Sequence, residues 1–231
     1  MKERPILFNA PMVRAIIEGM KRQTRMVVKP QPSRDFIPNV GAYHRTMVNK
    51  RTGEAFPDRV IRFGASDENE DFPCQYGQPG DRLVMLTTWA TEKQYDATKP
   101  SRLPYNAPIW SLWTDDTKPE WCGRLRPGRF LPGRFRHLMP RSEITDVRVQ
   151  RVQDITEEDA KAEGANREAA YDDPDLKYES YDGQDVGAGP GYFCPRSYVD
   201  GFRNLWDSIN AKRGFGWDSN PWVWAITFKK L

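Results

Sequence analysis

A lysine and a threonine stand three residues apart in the segment GMKRQT, which covers residues 19–24. The amine of Lys21 can act as a base or stabilise an oxyanion, and the hydroxyl of Thr24 can attack a carbonyl carbon. The alternative is a solvated turn in which Thr24 only begins a strand. The spacing is informative for chemistry only where rigid elements on both sides hold the two groups in place.

A second segment with chemical potential covers residues 123–141, where six arginines are interleaved with Phe130, Phe135 and His137. Guanidinium groups neutralise phosphates and aromatic rings stack on unpaired bases, so this composition predicts a single-strand nucleic-acid binder. The alternative is a basic loop that pairs with the acidic stretch at 168–185. The arginines predicted to contact nucleic acid are Arg124, Arg126, Arg129, Arg134 and Arg136.

The elements that position the lysine and threonine follow from periodicity. After Asn9, a suitable N-cap, apolar residues repeat at spacings of three and four, and Gly19 can end the helix in a left-handed conformation. Short strands are predicted on both sides, at residues 5–8 (PILF) and 24–28 (TRMVV). The pair therefore lies in the connection between a helix and the second strand.

Three further strands are predicted downstream. Residues 77–90, GQPGDRLVMLTTWA, predict a turn followed by a strand that is buried on both faces. Residues 142–152, SEITDVRVQRV, predict a strand with a slip near Arg151 that indicates a bulge. The alternation in residues 222–231, WVWAITFKKL, predicts a closing strand with one face apolar.

Two further helices carry clear start and stop signals. Thr156 and Asp159 form a capping-box pattern, and this short helix ends at Glu163 with Gly164 as the stop. A final helix begins at Ser197 and carries an apolar stripe. The residues of that stripe are Phe202, Leu205, Trp206 and Ile209.

The order of these elements predicts one α+β domain over residues 1–231 with three long insertions, at about 30–77, 92–140 and 165–196. A hydrophobic content of 38% in 231 residues is enough for one substantial core. Because the strands are few and short, closing them would remove exposed edges. A small mixed β-barrel flanked by helices is therefore the predicted architecture.

The bulk composition excludes several classes of protein. A net charge of +3 does not by itself identify a nucleic-acid binder. The three cysteines form no CxxC pair and, with the two histidines, show no ligand spacing, so no disulfide framework, metal site or cofactor is predicted. The chain shows neither a run of about 18 apolar residues nor an ordinary signal peptide, so we expect a cytoplasmic protein without a membrane partner.

Three motifs occur in an informative order along the chain. They are Gly19-x-Lys21-x-x-Thr24 followed by Arg25, then Pro79-Gly80-Asp81 at the start of a strand, then Asp154 to Ala160 running on to Glu163-Gly164, and the closing strand comes after them. In this combination the chain resembles the ASCH domain of the PUA-like superfamily, in a longer, insertion-bearing branch common in phages and prophages. The resemblance implies a PUA-like β-barrel with a cleft for RNA, a nucleotide or a modified base.

The resemblance also implies a chemistry. Some small ASCH proteins similar at these motifs are amidohydrolases that remove the acetyl group of N4-acetylcytidine with a lysine, a threonine and a glutamate. Carried onto this chain, these roles fall on Lys21, Thr24 and Glu163, with Thr24 attacking the amide carbonyl and Glu163 protonating the leaving amine. A carboxyl at a helix C-terminus faces the negative end of the dipole, which favours its protonated form. Arg25 and Trp89 are predicted to line the same cleft, with Trp89 stacking on a base.

One departure from the family pattern concerns Arg25, which directly follows Thr24 where those hydrolases place their arginine one residue later. Alternation along a strand would send the two side chains to opposite faces. The leading prediction is binding of RNA or a modified nucleoside, extended to hydrolysis of an acylated cytidine amide. The alternatives are a metal-assisted ribonuclease, and a phage accessory protein that binds a host protein through its insertions and has no catalytic activity.

Overall fold

The computed structural model describes residues 1–33, 40–64, 71–115, 117–166 and 197–231. Nearly all of the third predicted insertion, with its acidic stretch and Cys194, therefore lies outside the described residues. The alternative in which that acidic stretch pairs with the basic segment lies outside them as well. The first two insertions are described over most of their length.

The described residues form ten strands and three α-helices, an α+β fold as predicted. The strands are β1 (Glu3–Leu7), β2 (Gln23–Val27), β3 (Val40–Val48), β4 (Ala55–Gly64), β5 (Asp71–Pro73), β6 (Arg82–Leu86), β7 (Trp89–Ala90), β8 (Trp110–Ser111), β9 (Arg141–Arg151) and β10 (Trp222–Lys230). The helices are α1 (Ala10–Ile17), α2 (Glu157–Ala162) and α3 (Tyr198–Asn210). Across the described ranges, none of the helices has the length and apolar character needed to cross a membrane.

The helices begin at the predicted residues because the capping side chains make the expected hydrogen bonds, and α2 ends at Ala162, one residue before the predicted end. Asn9 accepts a hydrogen bond from the Met12 N–H at 2.9 Å, and Gly19 adopts a left-handed φ of +79° beyond α1. Ser197 and Asp200 form a complete capping box at α3. The predicted α3 stripe is shorter than expected, because Ile209 is 39% exposed.

Five strands form the main sheet in the order β1-β6-β9-β10-β2. Only β1 and β6 are parallel neighbours, and the other pairs are antiparallel. Helix α1 joins the two edge strands, β1 and β2. Within the described residues these two strands do not pair with each other, so the predicted barrel closure is not confirmed.

The irregularity in β9 lies at a different place from the predicted one. Arg151 pairs in register with Trp222, so the predicted slip near Arg151 is wrong. The register shifts instead opposite Thr227 and Phe228, which leaves Thr145 as an extra residue in β9. The strand was recognised correctly because its apolar alternation continues on both sides of the bulge.

One face of the main sheet packs against α1 and the first insertion. Trp224, Ile226 and Phe228 of β10 face this core as predicted. The predicted hairpin of the first insertion is confirmed as β3 and β4, which join β5 in a three-stranded sheet. Phe63 of β4 is fully buried, with its ring centroid 4.9 Å from that of Trp222. This insertion therefore contributes to the core, although the exposed residues of its hairpin weaken its sequence pattern.

Two smaller clusters cover the opposite face. Helices α2 and α3 pack against the β2–β10 side of the sheet, where Phe202 and Trp206 are buried. The second insertion covers Val84 and Leu86, so β6 is buried on both faces as predicted. It contributes Leu103, Ala107, Leu131, Phe135 and Met139 to this cluster.

Candidate functional site

Lys21 lies where the chain leaves α1 and turns into β2, as the sequence indicates. The residue is only 2% exposed. Its Nζ lies 2.7 Å from Oε2 of Glu163 and also 2.7 Å from the Glu163 backbone carbonyl oxygen. Two of the three residues assigned to catalysis, 142 positions apart in the sequence, therefore form a direct, buried ion pair.

The end of α2 places Glu163 against the lysine. Thr156 caps the helix by accepting a hydrogen bond from the Asp159 N–H, and Glu163 is the residue at its C-terminal cap. Gly164 then takes a left-handed φ of +79°, and a Cβ added there would lie 3.4 Å from the Lys21 Cβ. The lysine ammonium also occupies the negative end of this short helix, which favours a cation.

Arg25 completes the charge pattern around Glu163. Its Nη1 lies 3.1 Å from Glu163 Oε1, and its Nη2 lies 2.8 Å from Asp159 Oδ2. The Arg25 side chain is 0% exposed, and Gln23 accepts a further hydrogen bond from Nη1 at 2.6 Å. Each oxygen of Glu163 thus accepts a charge-assisted hydrogen bond from a different cation. A proton on Glu163, which the predicted acid role requires, would weaken one of these contacts.

Asp159 belongs to this network, although the sequence analysis assigned it only to the helix cap. Burial by itself would raise the pKa of Asp159, but the hydrogen bond from Gln23 and the charges of Arg25 and Arg148 outweigh burial and hold that pKa below its ordinary value. A signal for its role was present in the sequence. Asp159 and Glu163 are four residues apart, which places both carboxylates on one side of the helix.

Thr24 does not join the network. Gln23 and Arg25 contact each other and therefore share one face of β2, so alternation directs Thr24 and Met26 to the other face. Met26 packs there against the main core, and Thr24 is 5% exposed beside Ile226. The structure brings together Lys21 and Glu163 but not the predicted nucleophile. Arg25 directly follows Thr24 in β2 and faces the network, so the Thr24 side chain points to the opposite face of the strand.

Trp89 also lies elsewhere. The residue is 0% exposed and packs in the cluster beneath the second insertion. Its indole Nε1 donates to the Pro127 carbonyl oxygen at 3.2 Å, and the Arg126 guanidinium lies 5.4 Å from the ring centre. Backbone hydrogen bonds in both directions between Trp89 and Arg126 fix this arrangement. The prediction that Trp89 stacks on a ligand base is therefore wrong, because no face of the buried ring is open to a ligand.

Two of the five arginines predicted to contact nucleic acid stabilise the second insertion instead. Arg126 is 4% exposed and donates to the carbonyl oxygens of Tyr95 and Thr98 at 2.6 and 3.0 Å. Burial, together with the charge of Arg124, lowers the pKa of Arg126 from its ordinary value. Arg134 donates to several carbonyl oxygens of residues 100–103. These guanidinium groups are engaged within the protein.

Of the other three arginines, two are exposed. Arg124 and Arg129 are exposed, whereas Arg136 is half-buried. The Arg129 guanidinium lies 4.7 Å from the centre of the Phe130 ring, and Phe130 is 51% exposed. This part of the insertion presents positive charge and an open aromatic face side by side.

Among the described residues, no group of three or more His, Cys, Asp or Glu side chains is arranged so that it could hold a metal ion. Cys74 and Cys122 are free and buried. Burial raises the pKa of both thiols, which disfavours the thiolate form that binds metals. The metal-assisted ribonuclease alternative therefore has no ligand set in the part of the chain that the structure describes.

Comparisons with known proteins were made at the level of families, sequences and structures. No protein-family model, no curated protein and no solved structure matches this chain. The support for a function therefore comes from its own residues and their arrangement.

Proposed function

We propose that this protein binds RNA through unpaired nucleotides, and that the exposed part of the second insertion is the principal contact surface. The observation that carries the proposal is the pair formed by Arg129 and Phe130. A guanidinium lies against a half-exposed ring, and the open ring offers a stacking surface for a base. Arg124, exposed five residues earlier, adds a second cation for the phosphates.

The local charge supports this surface more strongly than the net charge does. Residues 123–141 contain six arginines and no acidic residue, whereas the whole chain carries a net charge of only +3. The exposed cations also stand on a fixed backbone, because the Arg124 N–H donates to Asp96 at 2.7 Å and Arg126 is buried beneath. A rigid cationic surface loses little entropy when a flexible strand binds to it.

We also propose that the chain is an ASCH domain with a PUA-like barrel, the family that its motifs resemble. Support comes from the placement of the motifs at the ends of elements. Lys21 lies just after the end of α1, and Glu163 is the C-cap residue of α2, as in the family pattern. The α+β composition and the five-stranded main sheet are compatible with such a domain.

A salt titration of RNA affinity tests the proposal. Fluorescence anisotropy of a labelled single-stranded RNA would be measured for the wild type and for Arg124→Gln/Arg129→Gln. Each phosphate contact contributes about 0.7 to the slope of log affinity against log salt, so the double variant should lose about 1.4 from that slope. The matched control is Arg51→Gln/Arg213→Gln, which removes two exposed arginines outside the surface and should keep the slope.

Two outcomes contradict RNA binding through this surface. Equal slopes for the two double variants would show that general charge, not the second insertion, attracts the RNA. A wild-type protein without measurable affinity for RNA would remove the proposal and leave the alternative of a host protein partner.

The ion pair of Lys21 and Glu163 supports a second candidate, hydrolysis of an acylated cytidine amide. Lys21 Nζ lies 2.7 Å from Glu163 Oε2, which brings together two of the three residues to which the ASCH resemblance assigns catalytic roles. Against it, both side chains are nearly fully buried, and Thr24 faces the other side of β2. Incubation with N4-acetylcytidine and detection of released acetate tests this candidate. Release by the wild type that persists in Thr24→Ala but is lost in Lys21→Met would assign the chemistry to the ion pair, and no release would eliminate it.

A further inference from the structure

Tyr105 has a solvent-exposed aromatic ring on a turn whose backbone is anchored. It is 87% exposed, the highest exposure among the large apolar and aromatic residues of the described chain. The turn that carries it is closed by a hydrogen bond of 3.1 Å from the Ala107 N–H to the Pro104 carbonyl oxygen. Its neighbours Leu103 and Ala107 are 4% and 6% exposed and pack into the cluster beneath the insertion. The backbone at Tyr105 is therefore anchored on both sides while the ring remains open.

Arg134 supports one face of this ring. Its guanidinium centre lies 5.1 Å from the centre of the Tyr105 ring and 4.9 Å from that of Phe135, which is buried. The guanidinium thus contacts both rings. Hydrogen bonds to backbone carbonyl oxygens, such as that of Ser101 at 3.4 Å, hold the guanidinium in place. Arg134 is therefore a positioning residue, since its Nη1 and Nη2 donors are engaged with backbone carbonyl oxygens of the protein.

We infer that Tyr105 is a second stacking position for an unpaired nucleobase, on the same surface as Phe130. This inference rests on the proposed RNA binding. One face of the Tyr105 ring is occupied by Arg134, so the opposite face is the one that a flat ligand can cover. Because the ring is already positioned, stacking of a base on it costs less side-chain conformational entropy than stacking on a mobile side chain would.

The chemistry of the ring favours an unpaired base over a duplex. Bases in a helix are stacked on one another and expose only their edges, whereas single strands can place a whole base on an aromatic face. The cation beneath Tyr105 adds to the attraction that holds the ring in its orientation. The ligand class is therefore single-stranded RNA, and the duplex of the same sequence should bind less tightly.

The two exposed rings belong to parts of the second insertion that pack on one buried cluster. Arg134 follows Phe130 by four positions, so their Cα atoms are at most about 14 Å apart. Leu131 follows Phe130, and Leu103 precedes Tyr105 by two residues. Both leucines pack in one buried cluster, which fixes the two rings relative to each other.

Affinity measurements on Tyr105 variants test the inference. The probe is a short single-stranded RNA carrying 2-aminopurine, whose fluorescence reports stacking. Tyr105→Ala should weaken binding roughly fivefold to a hundredfold and reduce the change in 2-aminopurine fluorescence. Tyr105→Phe keeps the ring and should stay within about twofold of the wild type. The control Phe56→Ala removes a ring that is 48% exposed on the β3–β4 hairpin, and it should leave binding unchanged.

Failure of this inference is distinguishable from failure of RNA binding. Tight binding by Tyr105→Ala, together with weakened binding by Arg124→Gln/Arg129→Gln, would overturn the role of Tyr105 and leave the RNA surface intact. Equal affinity of the wild type for single-stranded and duplex RNA would also overturn it. Absence of RNA affinity in the wild type would overturn both proposals together.

Discussion

Arginine side chains are central both to the network around Glu163 and to the outer surface of the second insertion. In the network the arginine is buried, whereas on the surface it is exposed to solvent. The Arg25 side chain is 0% exposed and contacts two carboxylates, whereas Arg129 is exposed and contacts a ring. In the buried region, loss of one partner leaves a charge without compensation in a medium of low dielectric constant. At the surface, water solvates whatever a substitution leaves behind. We therefore expect the buried region to govern stability and the exposed region to govern ligand binding.

Arg126 shows that the arginines of the basic segment, residues 123–141, differ in role according to their burial. It stands between Arg124 and Arg129 in the sequence but is 4% exposed. Its partners are backbone carbonyl oxygens and the face of Trp89. The basic segment of the sequence thus combines arginines that hold the insertion together with arginines that are free to meet a ligand.

The largest expected effect comes from Glu163→Gln. This change removes the charge that Lys21 and Arg25 share, so we expect a loss of about 3–5 kcal/mol in the free energy of unfolding. Urea denaturation would measure it. Glu143→Gln is the control, because Glu143 pairs at 3.4 Å with Lys229, which is 61% exposed, and such surface pairs contribute at most about 1 kcal/mol. If both variants lost the same small amount, the network would not be the closed set of charges described above.

Arg126→Gln tests the division within the basic segment. The shorter side chain leaves the Tyr95 and Thr98 carbonyl oxygens without their charged donor, so we expect a loss of about 2–3 kcal/mol in the free energy of unfolding. Arg129→Gln should change that free energy by no more than about 0.5 kcal/mol. Thermal or urea denaturation of the two variants in parallel would measure the contrast. Similar losses for both would mean that burial does not separate these arginines.

Gly128→Ala tests how the second insertion is attached to the sheet. A Cβ at residue 128 would lie 2.7 Å from the Thr87 carbonyl oxygen and 2.9 Å from the Leu86 carbonyl carbon. Because these are backbone atoms that cannot rotate away, we expect a loss of about 1–2 kcal/mol in the free energy of unfolding. Gly133→Ala is the matched control, since nothing lies within 4 Å of its added Cβ. A stable Gly128→Ala variant would show that the insertion is not held tightly against β6.

The smallest expected effect is the pH dependence contributed by Asp159. Its pKa is lower in the folded protein than in the unfolded chain, so its stabilising contribution is complete above the unfolded value of about 3.9 and is lost as pH falls through the lower folded value. The difference in the free energy of unfolding between wild type and Asp159→Asn should therefore shrink as pH falls below about 4. Denaturation at a series of pH values measures it. Asp218→Asn, at a side chain that is 89% exposed, is the control.

Parts of the candidate site could be predicted because each half has a local signature. Lys21 follows Gly19, the glycine after the end of one helix, and Glu163 precedes Gly164, the glycine after the end of another. Both glycines have the expected left-handed φ. The role of Asp159 was missed because its signature is identical to that of a capping residue. The burial of Trp89 was missed because its partner Arg126 comes from a segment that reads as an exposed basic loop.

The sequence by itself determined the elements of this protein and their limits. The caps at Asn9, Thr156 and Ser197 and the apolar face of β10 depend on neighbours a few residues away, so local spacing is sufficient to specify them. Only the tertiary structure decided which side chains meet. Glu163 contacts Lys21 and Arg25 across 142 and 138 residues, and the face of β2 that packs on α2 selects Arg25 and leaves Thr24 in the core. Such contacts depend on how sheet and helices stack, and local spacing does not encode that arrangement.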